Sequence, residues 1–204
     1  LISTELDSAL TPATITGNTR TQAVIGEIAT YELEIKLHEG TLTDTTLVDT
    51  LDAGLSFIAI DSVTISSADV TVEKPIGTGA SPSNVTIANV SGGVANQLTY
   101  DFGDITDTNK NDTVDETITI VYRAVVNNVG TNQSGTQLNN SAQLNWISPT
   151  VPIPTPDSLT AVESEQIAVI EPSLSITKDT VPSSITNIDA GDSVDYKITI
   201  TNNG

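Results

Sequence analysis

An all-β, antiparallel β-sandwich with Greek-key connections is the fold class this sequence predicts, on three observations. Nearly every segment with a clear apolar period has period two. Those segments are rich in Val, Ile, Thr and Tyr, the side chains that suit a pleated, half-buried surface. Turn clusters of Gly, Pro, Asn and Asp separate them at short intervals, and no segment has a convincing helical period.

In chain order, residues 30–37 alternate Tyr31, Leu33, Ile35 and Leu37 with polar side chains and read as a strand that ends at the Glu39-Gly40 turn. The Asp52-Ala53-Gly54 turn leads into strands at 55–61 and 63–72, and a proline-glycine loop at 75–82 separates these from a strand at 85–90. Ser91-Gly92-Gly93 turns the chain into 98–102, residues 106–112 form the next turn, and 117–126 alternates cleanly from Ile118 to Val126. Past a turn at 131–135 come strands at 138–146 and 159–170. Pro149, Pro152, Pro154 and Pro156 lack the amide donor a central strand requires, so they read as a loop or an edge excursion between those two. Residues 41–51, broken by Asp and Thr, carry no strand assignment.

One segment occurs twice: Gly26 to Ile35 aligns with Gly191 to Ile200 at an offset of 165 residues, each copy a Gly-acid turn followed by Tyr and alternating apolar positions. The chain therefore reads as one full module, residues 1–172, followed by 173–204 as the opening strands of the next repeat or an exchanged-strand tail. Lone strands are unstable in water, so the tail is expected to find partners outside its own incomplete module.

Composition narrows the function. The 204 residues carry 26 acidic against 7 basic groups, a formal charge of -19, which disfavours nucleic acid and anionic lipid and favours cations. No cysteine is present, which excludes thiolate catalysis and disulfides. No apolar run approaches the ~20 residues that cross a bilayer, so no membrane insertion is expected of this segment.

Several pieces carry a family resemblance. The run Gly191 to Gly204, ending Thr-Asn-Asn-Gly, and the segment Thr43 to Leu55, containing Asp49-Thr50-Leu51-Asp52-Ala53-Gly54-Leu55, resemble the DUF11 repeat. Asn139 to Trp146 is similar to its closing Asn-x-Ala strand, and Ile170-Glu171-Pro172-Ser173-Leu174 to its inter-repeat junction. Asp52 departs from the family, where proline is usual, and so does Leu37-His38-Glu39-Gly40 in place of Thr-Asn-x-Gly. The resemblance implies an immunoglobulin-like sandwich in an extracellular, cell-surface protein of bacteria or archaea, without catalytic residues.

The densest polar cluster is 104–116. Asp104, Asp107, Asn109, Asn111, Asp115 and Glu116 offer the oxygen ligands that Ca²⁺ collects, about six to eight at a time, from a curled loop. The pattern is not that of the helix-flanked calcium loop, since Asp112 stands at its glycine position and Ile118 at its final glutamate. Strand flanks make it a hairpin loop, and the competing reading is a hairpin tip in which Asp and Asn cap their own backbone. His38 is the only histidine and reads as a turn residue; Glu32 and Glu34 share one face of a strand and read as solvated. The expected function is a non-enzymatic structural repeat that spaces or polymerises a stalk, fibre or envelope layer, stiffened by calcium. Its partners would be neighbouring copies or repeats of the same protein. The alternative is an adhesin module whose loops bind a glycan or protein receptor.

Overall fold

The computed structural model describes residues 1, 3–4, 21–111, 113, 115–148, 155–162, 166–171, 174–181, 183 and 187–202. Among them the regular structure is β throughout. In chain order the strands are β1 (Ser3–Thr4), β2 (Thr21–Ala23), β3 (Ile28–Leu37), β4 (Gly40–Leu51), β5 (Leu55–Ile65), β6 (Val70–Val72), β7 (Val85–Ala88) and β8 (Gln97–Asp107). There follow β9 (Glu116–Val126), β10 (Gln137–Leu138), β11 (Asn140–Ser148), β12 (Thr155–Val162), β13 (Ile167–Val169), β14 (Leu174–Val181) and β15 (Asp195–Asn202). No described helix is long and apolar enough to cross a membrane.

Two sheets face each other. One runs β1-β3-β9-β5, the other β12-β11-β4-β8-β6 with β7 also on β8, so most neighbours are distant in sequence, as Greek-key connections require. The expected antiparallel sandwich is the observed fold. A small third sheet, β10-β13-β2, contains a parallel pair, β13 on β2, that the sequence pattern does not announce. The core lies between the two large sheets and is built from alternate residues. Ile118, Ile120, Tyr122, Ala124 and Val126 of β9 pack with Leu47 and Leu51 of β4 and with Leu98, Tyr100, Phe102 and Ile105 of β8.

Three sequence expectations change. The main one is β4, a twelve-residue central strand where no strand was assigned. Its inward row is Thr45, Leu47, Asp49 and Leu51, and the two polar members break the apolar alternation. The stretches read as 55–61 and 63–72 divide differently: β5 continues unbroken to Ile65, with irregularities between Phe57 and Ala59 and between Ile60 and Ser62. The run 159–170 splits into β12 and β13. Of the four prolines, Pro156 sits in β12, an edge strand, opposite Ile147, where its missing amide does no harm; the other three lie outside the described residues.

Asp52 shows how this chain makes its turn without proline. Its Oδ1 accepts the Gly54 amide at 3.0 Å and its carbonyl accepts Leu55 N–H at 2.9 Å. Gly54 is needed for space, because a Cβ there would lie 2.1 Å from Asn132 Oδ1. Asn132 cannot yield, since its Nδ2 donates to the carbonyls of Gly54 and Asn127, each at 2.9 Å. Gly54→Ala should therefore destabilise the module by about 1–3 kcal/mol, read as a lower thermal midpoint; an unchanged midpoint would show the Asn132 latch to be dispensable.

The repeat is also structural. β14 pairs antiparallel with β15 from Leu174↔Asn202 to Val181↔Asp195. The offset of 165 carries Thr30 to Asp195, and Thr30 pairs with Ser3 of β1 as Asp195 pairs with Val181. β15, the counterpart of β3, is thus again paired antiparallel with a preceding strand, although the same offset carries Ser3 to Ala168 and not to Val181, and the apolar side chains Ile176, Ile198 and Ile200 of the hairpin β14–β15 are exposed.

Candidate functional site

The polar loop is not a hairpin tip. β8 and β9, which flank it, belong to opposite sheets, so the loop crosses one end of the sandwich. Asp107 ends the inward row of β8 and Glu116 begins the inward row of β9, which places one buried carboxylate from each sheet at the end of the core.

Between them the chain makes successive side-chain-to-backbone turns. Asp107 Oδ1 accepts Asn109 N–H at 2.9 Å, Asn109 Oδ1 accepts Asn111 N–H at 3.0 Å, and Asn111 Oδ1 accepts Thr113 N–H at 3.3 Å and its hydroxyl at 2.6 Å. Asn109 Nδ2 donates to Glu116 Oε1 and so joins the strands across the loop. Thr108 anchors the start, its amide and hydroxyl each donating to the Asp69 carbonyl at 3.1 Å.

Of the six expected ligands, three come together: Asp107, Asn109 and Glu116. Asn111 is exposed and turned to Thr113. Asp115 is exposed and lies 3.9 Å from Lys36 Nζ. Asp104 belongs to the other face of β8, where its Oδ1 accepts Asp44 N–H at 3.0 Å. Among the described residues no three acidic or histidine side chains converge enough to hold a metal by themselves. One observation nonetheless suits a cation: Asp107 is 3% exposed, and its Oδ2 is buried without a hydrogen-bond partner. A buried acceptor in that condition is costly unless something positive meets it. Any Ca²⁺ here would draw on Asp107, Glu116 and amide or backbone carbonyl oxygens.

Two further features escaped the sequence reading. Lys74 grips Asp101 through both carboxylate oxygens at 3.0 and 2.8 Å, which holds the Asp101 carboxyl below its usual range and raises the Lys74 ammonium. The second is an apolar cleft of about 380 Å³ beside β3, lined by Leu33, Ile35, Leu47, Ala142, Leu144 and Leu159. On the inward row of β3, Ala29, Tyr31, Ile35 and Leu37 are buried and only Leu33 is half-exposed, because the cleft opens there. Glu32 and Glu34 stand exposed at its rim, and His38 is exposed in the short connection from β3 to β4.

Comparison with known proteins gives structural likeness alone. No family model matches the chain, and no curated protein matches it. Among solved structures it is similar to domains D2 and D3 of the major pilin SpaD from Corynebacterium diphtheriae, with 17% identity over 76% of this chain and 50% of that one, TM-score 0.38. It is similar also to BcpA, the major pilin subunit of Bacillus cereus, with 13% identity over 89% and 52%, TM-score 0.40. A third is the collagen-binding subdomain of the surface protein ACE of Enterococcus faecalis, with 14% identity over 69% and 87%, TM-score 0.35. The chain spans about half the length of the two pilin structures.

Proposed function

We propose that this chain is a non-enzymatic structural module of an extracellular surface assembly, a repeat of the DUF11 kind that spaces or polymerises a stalk, fibre or envelope layer. The observation that carries the reading is the repeated strand: β15 is the counterpart of β3 at the offset of 165 and, like β3, pairs antiparallel with a strand that precedes it in the chain, as expected where sandwich modules follow one another along a chain. The acidic surface suits an exported protein kept soluble by its charge. The adhesin alternative needs a binding patch on the loops, whereas most exposed large apolar side chains among the described residues lie on strands β12, β14 and β15. Antibodies raised against the chain should decorate intact cells of the source organism. Labelling that appears only after the cells are permeabilised would contradict the assignment.

Calcium is a second element of the reading, supported by the unpartnered Oδ2 of Asp107. A cation bridging β8 to β9 at this end would tie the two sheets together. At 100 times its dissociation constant it should add about 2.7 kcal/mol of stability, visible as a raised thermal midpoint that chelator reverses. Asp107→Asn should abolish the response and Asp104→Asn should keep it, since Asp104 faces away. No shift with calcium, or loss of the shift in Asp104→Asn alone, would contradict this site.

A further inference from the structure

We propose that two copies of this chain pair side to side through the free edge of β5, the two strands running antiparallel about a two-fold axis at Thr64. The inference goes beyond the succession of modules along one chain, because it names a lateral contact between chains.

β5 is the outer strand of its sheet. β9 lies on one side of it, and on the other the described residues supply only the bridge from Ile60 to Gly79. Ile60 and Gly79 exchange both amide hydrogen bonds there, at 3.1 and 2.8 Å, so the edge is closed at Ile60 and open from Ser62 to Ile65, where the strand ends. Ser66 N–H donates to the Thr117 carbonyl of β9 at 3.0 Å. Alternation along an antiparallel ladder therefore turns the peptide groups of Thr64 towards β9 as well, and aims those of Val63 and Ile65 outward.

Free edges are normally guarded by lysine, proline or an inward charge. The stretch Ser62-Val63-Thr64-Ile65-Ser66 has none of these, in a chain with 26 acidic and 7 basic groups. Its one charged neighbour, Asp61, has both carboxylate oxygens on Arg123 Nε, at 2.9 and 2.8 Å. Beside the edge lies an apolar cleft of about 160 Å³ lined by Val63, Ile65, Val72, Ile76, Phe102 and Ile118, and Ile65 is 40% exposed.

The occupant is a second copy because the open stretch is its own complement. In either direction it runs serine, β-branched apolar residue, threonine, β-branched apolar residue, serine. A two-fold at Thr64 sets Val63 of each copy opposite Ile65 of the other. These are the residues whose peptide groups face outward, so they can exchange about four main-chain hydrogen bonds. Their side chains share the inner face, since Val63 and Ile65 lie opposite Ile120 and Ile118 of β9, and each copy covers the cleft of the other. On the outer face the two Thr64 side chains meet and Ser62 falls opposite Ser66, so no like charges oppose one another despite a net charge of -19. The partner strand bends away after Ile65, before it would reach the place that Gly79 occupies beside Ile60. A contact this short is weak for one module and is multiplied where modules repeat along a chain.

The chain has no cysteine, so the register can be read by cross-linking. Full-length Thr64→Cys, mildly oxidised, should form a disulfide-linked dimer, because directly opposed Cα atoms in a pair of this kind lie about 4.5 Å apart. Ser62→Cys alone should give at least about ten-fold less, since its two copies stand four residues apart along the strands, about 13 Å. Mixed with Ser66→Cys it should link as a heterodimer. Sedimentation of the unmodified chain should show a concentration-dependent equilibrium of monomer and dimer. Thr64→Lys, a change at an exposed outward position, should abolish that equilibrium and leave the thermal midpoint unchanged. A chain that stays monomeric at every concentration, Ser62→Cys linking as readily as Thr64→Cys, or a dimer that survives Thr64→Lys would each overturn the pairing. None of these results bears on the succession of modules along one chain, so the two readings fail separately.

Discussion

Replacing Tyr122 by alanine is expected to cost the module about 3–5 kcal/mol, the largest loss any single side chain here should produce. Tyr122 is fully buried in the middle of β9. Its ring stacks on Tyr31 with centroids 5.4 Å apart and tilts against Phe57 at 6.2 Å, filling the space between the sheets. Its hydroxyl accepts a hydrogen bond from Asn140 Nδ2 of β11 at 2.8 Å and lies close to the Asp49 carboxylate of β4, so one phenol ties its own sheet to the other. Tyr122→Phe separates the two roles. It keeps the ring and strands the buried amide of Asn140, for an expected loss of about 1–3 kcal/mol. Urea unfolding of both variants measures this, and a phenylalanine variant as stable as the parent would show that the cross-sheet polar link contributes nothing.

Alkali should unfold the protein steeply. Burial, and secondly the nearby Asp49 carboxylate, push the hydroxyls of Tyr100 and Tyr122 well above their ordinary value of 10.0. In the unfolded chain both ionise above about pH 10, while in the folded chain they stay protonated. The unfolded state then holds fewer protons, so stability is intact below pH 10 and falls as pH rises beyond it, by about 2.7 kcal/mol per pH unit for two groups. Denaturant midpoints taken between pH 9 and 11 give the slope. The phenolate absorbance of these two residues should rise together with unfolding, and ionisation while the fold persists would contradict their enclosure.

Much of this architecture is legible in the sequence where side chains alternate without interruption. β3 and β9 are the clearest cases, because each inward position is apolar apart from Glu116 at the end. β4 was hidden by the same physics that makes it useful: Asp49 and Thr45 point inward, and a buried carboxylate looks like a turn residue until its partner Tyr122, seventy-three positions away, is in view. The candidate site was half-legible. Alternating Asp and Asn do mark the loop, but their spacing describes the chain of backbone-capping turns that the structure contains, with no convergence of all six side chains. Asp107 and Glu116 are separated from Asp104 and Asp115 by strand parity and by the fact that β8 and β9 join opposite sheets. The cleft could not be read locally at all, since Leu33 differs in no way from Ile35 in the sequence pattern and only the packing of β3 against Leu144 and Leu159 shows which of them lines the opening.

Electron microscopy of the native surface structure that carries this chain tests the central claim most directly. The account expects the chain as a regularly repeating unit in an extended array, each copy in contact with the next at a constant spacing. Isolated globular copies, with no repeating neighbour of the same chain, would contradict it.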